Sequence, residues 1–356
     1  MKKKLKNFFK DLVEAPGPSG FEQPAQEVYR NFVKELIPQK DIKTDLHGNV
    51  IALKKGKGKI RLMFSGHADE VGLMVTYINE EGFVYFKPIG GVDAGILPGQ
   101  RVNIYHEGKI VRGVIGKKAI HMMSSDERGK APKMENLWID IGATDEKEAE
   151  KKIAVGDPIT YSPGMEELNG DVITTKSTDN RAGVFVAAAV LYHLKDKEID
   201  ANIYSVSSVQ EELGLRGART SAFGVDPHVG VAVDVTFTTD HPSTEKKKIG
   251  DIKLGKGPVV SIGANINPKV LELLKKAAKN KKIDIQLEAA PRATGTDANA
   301  IQITRSGVAA GLVSIPNRYM HTPNEIISLK DLDNTAKLLA EFAQLINDDT
   351  DFIPKV

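Results

Sequence analysis

Apolar residues return at helical spacing over "LKNFFKDLVEA" and again over "FEQPAQEVYRNFVKEL", with the turn "EAPGPSGFEQP" between them. This predicts one or two helices across residues 5–36. The stretches "NVIALKKG" and "KIRLMFSGH" then predict two strands, the second ending at His67. From about residue 72 to residue 165 the texture changes. "FVYFKPI", "RVNIYHEGKIVRGVIG" and "LWIDIG" are short, β-rich and broken by Gly and Pro, and no helical pattern appears before "DEKEAEKKI". Past residue 170 long patterns return: helix "NRAGVFVAAAVLYHLKD", strands "NIYSVSSV" and "VGVAVDV", helix "PKVLELLKKAAKN", strand "AAGLVSI" and the closing helix "LKDLDNTAKLLAEFAQLIND".

Helices alternating with apolar strands predict an α/β sheet covered on both faces. The β-rich block reads as a small barrel-like insertion that splits this sheet domain. The expected division is a discontinuous catalytic domain, residues 1–71 and 166–356, with an inserted domain at 72–165. The charged stretch "EKKKIGD" (245–251) reads as a solvated loop.

Composition narrows the function classes. The 356 residues are 41% hydrophobic and 27% charged, with a net charge of +2 and no cysteine. That balance does not suggest a nucleic-acid binder. It also leaves any metal to histidine, carboxylate or backbone oxygen. The longest apolar run, "AGVFVAAAVLY", is far short of the ~20 residues of a membrane span. "MKKKLKNFFK" lacks the apolar stretch of a signal peptide, so the chain reads as cytoplasmic.

Five segments place ionisable groups where apolar strands end or helices begin: "MFSGHADEVG" with His67, Asp69 and Glu70, "KSTDNRAG" with Asp179, "VQEELG" with Glu211 and Glu212, "VAVDVT" with Asp234, and "NRYMHTPNE" with His321. Taken singly, Asp179 is a helix N-cap, His67 a hydrogen-bonded histidine and His321 an exposed turn. Asp234 is harder to dismiss, because a carboxylate inside so apolar a strand is costly unless paired or bound to metal. Ligands of open α/β sheets bind outside the carboxyl ends of the strands, so these segments can share one crevice. Together they have the donors that a two-metal site of hard and borderline ligands requires. Asp69 is placed to hydrogen-bond the far ring nitrogen of His67. One of the adjacent glutamates then serves as ligand, and the other faces the activated water and takes its proton.

"HADEVG", "STDNRAG", "VQEELGLRGA", "AVDVT" and "YMHTPNE" occur in the order and approximate spacing of the M42 metallo-aminopeptidases, the TET aminopeptidases among them, and the chain resembles that family over essentially its whole length. Some members of the family carry the label endoglucanase or cellulase M. The resemblance implies a mixed-sheet α/β/α peptidase core with an inserted barrel-like dimerisation domain. It implies that His67 and Asp234 bind one metal, Glu212 and His321 the other, and that Asp179 bridges. It further implies that Asp69 orients His67 and that Glu211 is the general base and later the acid. Ala68 departs from the larger residue of many relatives. "GTDANAIQ" also resembles a stretch near the family's active site, with no role assigned.

The activity so implied is removal of the N-terminal residue of peptides, with two divalent ions per subunit, zinc or cobalt suiting the donors best. Rival readings are a di-metal deacylase or deacetylase on the same core, a glycosidase, and a non-catalytic scaffold. A glycosidase needs no metal, and the single tryptophan, Trp138, lies in the inserted block. Binding alone has no use for the extra base Glu211. Peptides are the expected partners, with no nucleic acid and no membrane. A homo-oligomer is expected because the inserted strands expose apolar residues, and relatives build dimers and tetrahedral dodecamers.

Overall fold

The computed structural model describes residues 1–354. Two helices, Lys3–Glu14 and Gln23–Lys34, precede three strands, β1 (Ile42–Thr44), β2 (Val50–Lys54) and β3 (Arg61–His67). Six more strands follow: β4 (Gly72–Ile78), β5 (Val84–Ile89), β6 (Arg101–His106), β7 (Lys109–Gly116), β8 (Trp138–Asp140) and β9 (Pro158–Tyr161). These six close into a barrel in the order β4-β5-β8-β7-β6-β9. Leu73, Val75, Val84, Ile104, Ile139 and Ile159 fill it. The residues between β7 and β8 contain one α-helical turn, Ser125–Arg128, and two 3-10 turns, Ile120–Met122 and Met134–Asn136, none of which the periodicity suggests.

The remaining strands are β10 (Glu166–Glu167), β11 (Val172–Thr175), β12 (Asn202–Ser208), β13 (Val229–Phe237), β14 (Val259–Gly263), β15 (Gln286–Ala290), β16 (Ala309–Asn317) and β17 (Glu325–Ser328). The main sheet has eight strands in the order β1-β2-β12-β3-β13-β16-β14-β15. Its central four, β12, β3, β13 and β16, are parallel, and the sheet is therefore mixed.

Side-chain alternation splits these strands between two layers. Leu62, Phe64, Val231, Val233, Val313 and Ile315 pack on one face with helices such as Thr178–Leu194, Pro268–Lys281 and Leu329–Gln344. Met63, Ala232 and Leu312 face the opposite way, against Arg216–Val225 and Asp297–Gln302. Helix Thr178–Leu194 is buried along nearly its whole length, as an almost uniformly apolar helix must be. Strand parity also sets the site. His67 shares its side of β3 with Met63, and Asp234 shares its side of β13 with Ala232. Both therefore end on the more thinly covered face.

Candidate metal centre

The carboxyl ends of the parallel strands meet in a cleft of about 450 Å³ that holds His67, Asp179, Glu211, Glu212, Asp234 and His321. His67 closes β3, and the parallel register pairs it with Ser208 at the end of β12, just before the Glu211–Glu212 turn. Asp234 lies within β13, Asp179 in the first turn of its helix, and His321 in the loop after β16. N-capping is not the role of Asp179: the cap position is Ser177, and Asp179 itself has non-helical torsions.

Distances within the cluster assign partners. Asp179 Oδ1 lies 3.2 Å from His67 Nε2, and its Oδ2 lies 3.2 Å from His321 Nε2. Glu212 Oε1 is 3.3 Å from His321 Nε2. Three groupings can each converge on one ion: His67, Asp179 and Asp234; Asp179, Glu212 and His321; and His67, Glu211 and Glu212. Only the first two share Asp179.

Ring orientation fits a pair of cations. His67 Nδ1 faces the Asp69 carbonyl oxygen at 3.1 Å, and His321 Nδ1 faces the Gly91 carbonyl oxygen at 2.9 Å. A carbonyl only accepts, so each Nδ1 carries a proton and each Nε2 is turned into the cluster, where a bound cation would take the lone pair that otherwise holds a proton. Asp69 does more than face His67, whose Nδ1 is 3.3 Å from its Oδ1. Its carboxylate also accepts from the Glu211 N–H at 3.0 Å, the Glu212 N–H at 3.1 Å and the Ser19 hydroxyl at 2.6 Å.

So many carboxylates in one cleft repel unless something positive lies between them. Hydrogen bonds to Asp179 and Glu212 push the His321 imidazole up to about 11. Burial pushes Glu211 up to about 9; the charges of Asp234, Asp297 and Glu212 add to this and His67 opposes it. Burial likewise raises Asp234, with Asp179 repelling it further. Protons here are standing in for cations: two dications would neutralise the same charges, and the donor set suits them.

Four features escape a reading by sequence pattern. Glu70 stays out of the cluster and pairs with buried Lys176 at 2.8 Å, while fully buried Arg181 donates to the Ala68 carbonyl between two site residues. Gly91, from the loop after β5, carries the inserted barrel into the site. The "EKKKIGD" stretch is not simply solvated: Lys246–Ile249 is a helical turn, and Lys248 and Ile249 line the cleft. Asp297 is buried beneath the site, accepting from Ser65 at 2.9 Å and Ser208 at 2.7 Å.

A mixed α/β/α sheet with histidines and carboxylates gathered at the ends of its parallel strands defines a hydrolase of the metal-dependent class. Residues 48–338 match the family described as M42 glutamyl aminopeptidase, and the chain belongs to that family. A lysyl aminopeptidase of Pyrococcus furiosus is 38% identical, the match covering 92% of this chain and 94% of the relative. Among solved structures, a TET aminopeptidase from a marine sediment archaeon, Thaumarchaeota archaeon, superposes with a TM-score of 0.92 at 34% identity over 98% of both chains. The Pyrococcus horikoshii TET1 peptidase, which can assemble into a tetrahedron or a large octahedral shell, gives 0.85 at 30% identity over 96% of this chain and 100% of its own. The protein is therefore an aminopeptidase, hydrolysing peptides from the N-terminus, in a family that works with divalent metal.

Proposed function

We propose that the protein removes N-terminal residues with two dications, His67, Asp234 and Asp179 holding one and Asp179, Glu212 and His321 the other. The observation that carries this is the placement of the two Asp179 oxygens, each 3.2 Å from a different imidazole nitrogen. Two dications held by these residues would supply an activated water near neutral pH and a Lewis acid for the scissile carbonyl. Zinc or cobalt best suits two imidazoles with carboxylates.

The chain's own groups supply the rest. Glu211 stands outside the two groupings that share Asp179, with Oε2 3.7 Å from His67 Nε2. With two dications neutralising the neighbouring carboxylates, the Glu211 carboxylate would be ionised, which suits it to take the water's proton and return it to the departing amine. Asp69 holds the backbone of both glutamates, keeping base and ligand in fixed relation. Phe237, Ile249, Leu312 and Met320 form apolar walls beside these groups.

At the larger scale, residues 1–71 and 166–356 form the catalytic unit and residues 72–165 a dimerisation unit. Tyr77, Ile110 and Val114, exposed on barrel strands, supply a surface for self-association. Among the described residues no helix is long and apolar enough to cross a membrane.

Aminoacyl chromogenic substrates and their N-acetylated counterparts test the activity. Free-amino substrates should be cleaved and acetylated ones left intact. A chelator should abolish turnover, with zinc or cobalt restoring it. Glu211→Gln should lower kcat by about a thousandfold at unchanged metal content. Preferential cleavage of the acetylated substrates would establish a deacylase instead, and near wild-type turnover by the variant would remove Glu211 from its role.

A further inference from the structure

One buried carboxylate touches the metal centre without a role in the scheme above. Glu325 begins β17 and is 1% exposed. Its Oε2 accepts from the Asp179 N–H at 3.0 Å and from the Thr178 hydroxyl, whose oxygen in turn accepts from Asn317 Nδ2 at 2.9 Å. Its Oε1 accepts from the His321 N–H at 2.9 Å. A single side chain thus ties together two ligands that lie far apart in sequence, and Asp179 Oδ2 meets His321 Nε2 on the cleft side of the same unit.

The neighbouring backbone needs holding. Ser177 and His321 both have φ of 62°, the left-handed region that non-glycine residues rarely adopt and that persists only where the surroundings over-determine it. The Asp179 N–H is also a donor that would be left without a partner at a buried site, and the His321 N–H one at a partly buried site. Glu325 satisfies both. It is not itself a ligand: it belongs to none of the groupings that can converge on an ion, and both of its oxygens already accept protein donors.

We propose that Glu325 is a positioning residue that clamps the bridging carboxylate of Asp179 to the imidazole of His321. The cation place formed by Asp179, Glu212 and His321 therefore depends on it more than the place formed with His67 and Asp234. This role rests on the two-cation reading above. Glutamine has one acceptor oxygen where glutamate has two, so Glu325→Gln turns an NH₂ toward one of the two backbone N–H groups and severs that anchor. His67 and Asp234 are held by their own strands and keep their geometry.

The test is a titration of metal-free protein with Co²⁺, followed by visible absorption and by metal analysis after gel filtration. The wild type should take up two equivalents. Glu325→Gln should bind one equivalent about 10–100-fold more weakly and the other, which shares only Asp179 with it, by a much smaller factor, whereas His321→Ala, which leaves Asp179 in place, should weaken one equivalent alone. Thr178→Val, which removes only the hydroxyl steadying Oε2, should weaken the same equivalent by a smaller factor, and it carries the test if Glu325→Gln does not fold. Two equivalents bound with wild-type affinity, or both weakened alike, would overturn the positioning role. A wild type that takes up fewer than two equivalents would overturn the two-cation reading itself, and this role with it.

Discussion

Asp179 illustrates how much one side chain can decide. It is buried at the wall of the cleft, and the imidazoles of His321 and His67 hold its carboxyl well below the usual carboxylate range against the opposing cost of burial. If its two oxygens serve two cations, Asp179→Ala should cost both, and the purified variant should carry less than one equivalent by metal analysis where Glu211→Gln carries two. Retention of one full equivalent would show that Asp179 serves a single ion. Behind it, Lys176 and Arg181 share the carboxylate of Glu70, with Lys176 Nζ 2.8 Å from Oε2 and an Arg181 nitrogen 3.5 Å from Oε1. Removing one member of such a buried set leaves uncompensated charge, which is more damaging than losing a surface pair. These cations brace the segments that carry His67 and Asp179. They supply no chemistry of their own.

At the level of elements, β3 and helix Thr178–Leu194 approach each other at Gly66 and Gly183. A Cβ at Gly66 would meet the backbone of Gly183 and Val184, and one at Gly183 would meet the Val233 carbonyl. Neither obstacle is a flexible side-chain tip, so a methyl group must move the helix or the strand. Gly66→Ala is expected to destabilise the metal-free protein by about 1–3 kcal/mol, measured by denaturant unfolding. Gly129→Ala, where an added Cβ meets nothing within 4 Å, is the control and should leave stability nearly unchanged. Equal midpoints for the two variants would mean that the close approach is not under strain. Because Gly66 precedes His67, the same change should also lower metal affinity. In this way packing between a strand and a helix reaches the site.

The whole molecule is organised around the junction of sheet and barrel. The Gly91 carbonyl orients His321, so the inserted unit helps to build the site as well as offering a surface. Ile110 is 57% and Val114 47% exposed on the same barrel strand, more apolar surface than an isolated barrel needs to show. Light scattering should give a mass at least twice that of the chain. Ile110→Lys combined with Val114→Lys should reduce it while barrel folding persists. A wild-type monomer would remove the barrel's assembly role.

The amino-acid sequence by itself determined the local structure. Period 3.6 in helices such as Pro268–Lys281 and apolar runs such as Val229–Phe237 are set by neighbours along the chain, so they are legible there. It also marked Asp234 and the Glu211–Glu212 pair, because a carboxylate in or beside an apolar strand demands compensation wherever the strand goes. Strands β14 and β15 and helix Arg216–Val225 were not legible, their apolar patterns being short or only partly buried. Tertiary structure alone decided which groups meet. The two histidines that face opposite oxygens of Asp179, the barrel carbonyl that turns His321, and the carboxylate of Glu325 that joins two remote backbone N–H groups all depend on strand order, register and loop path. Those follow from burying the whole core at once, and no window of sequence contains them.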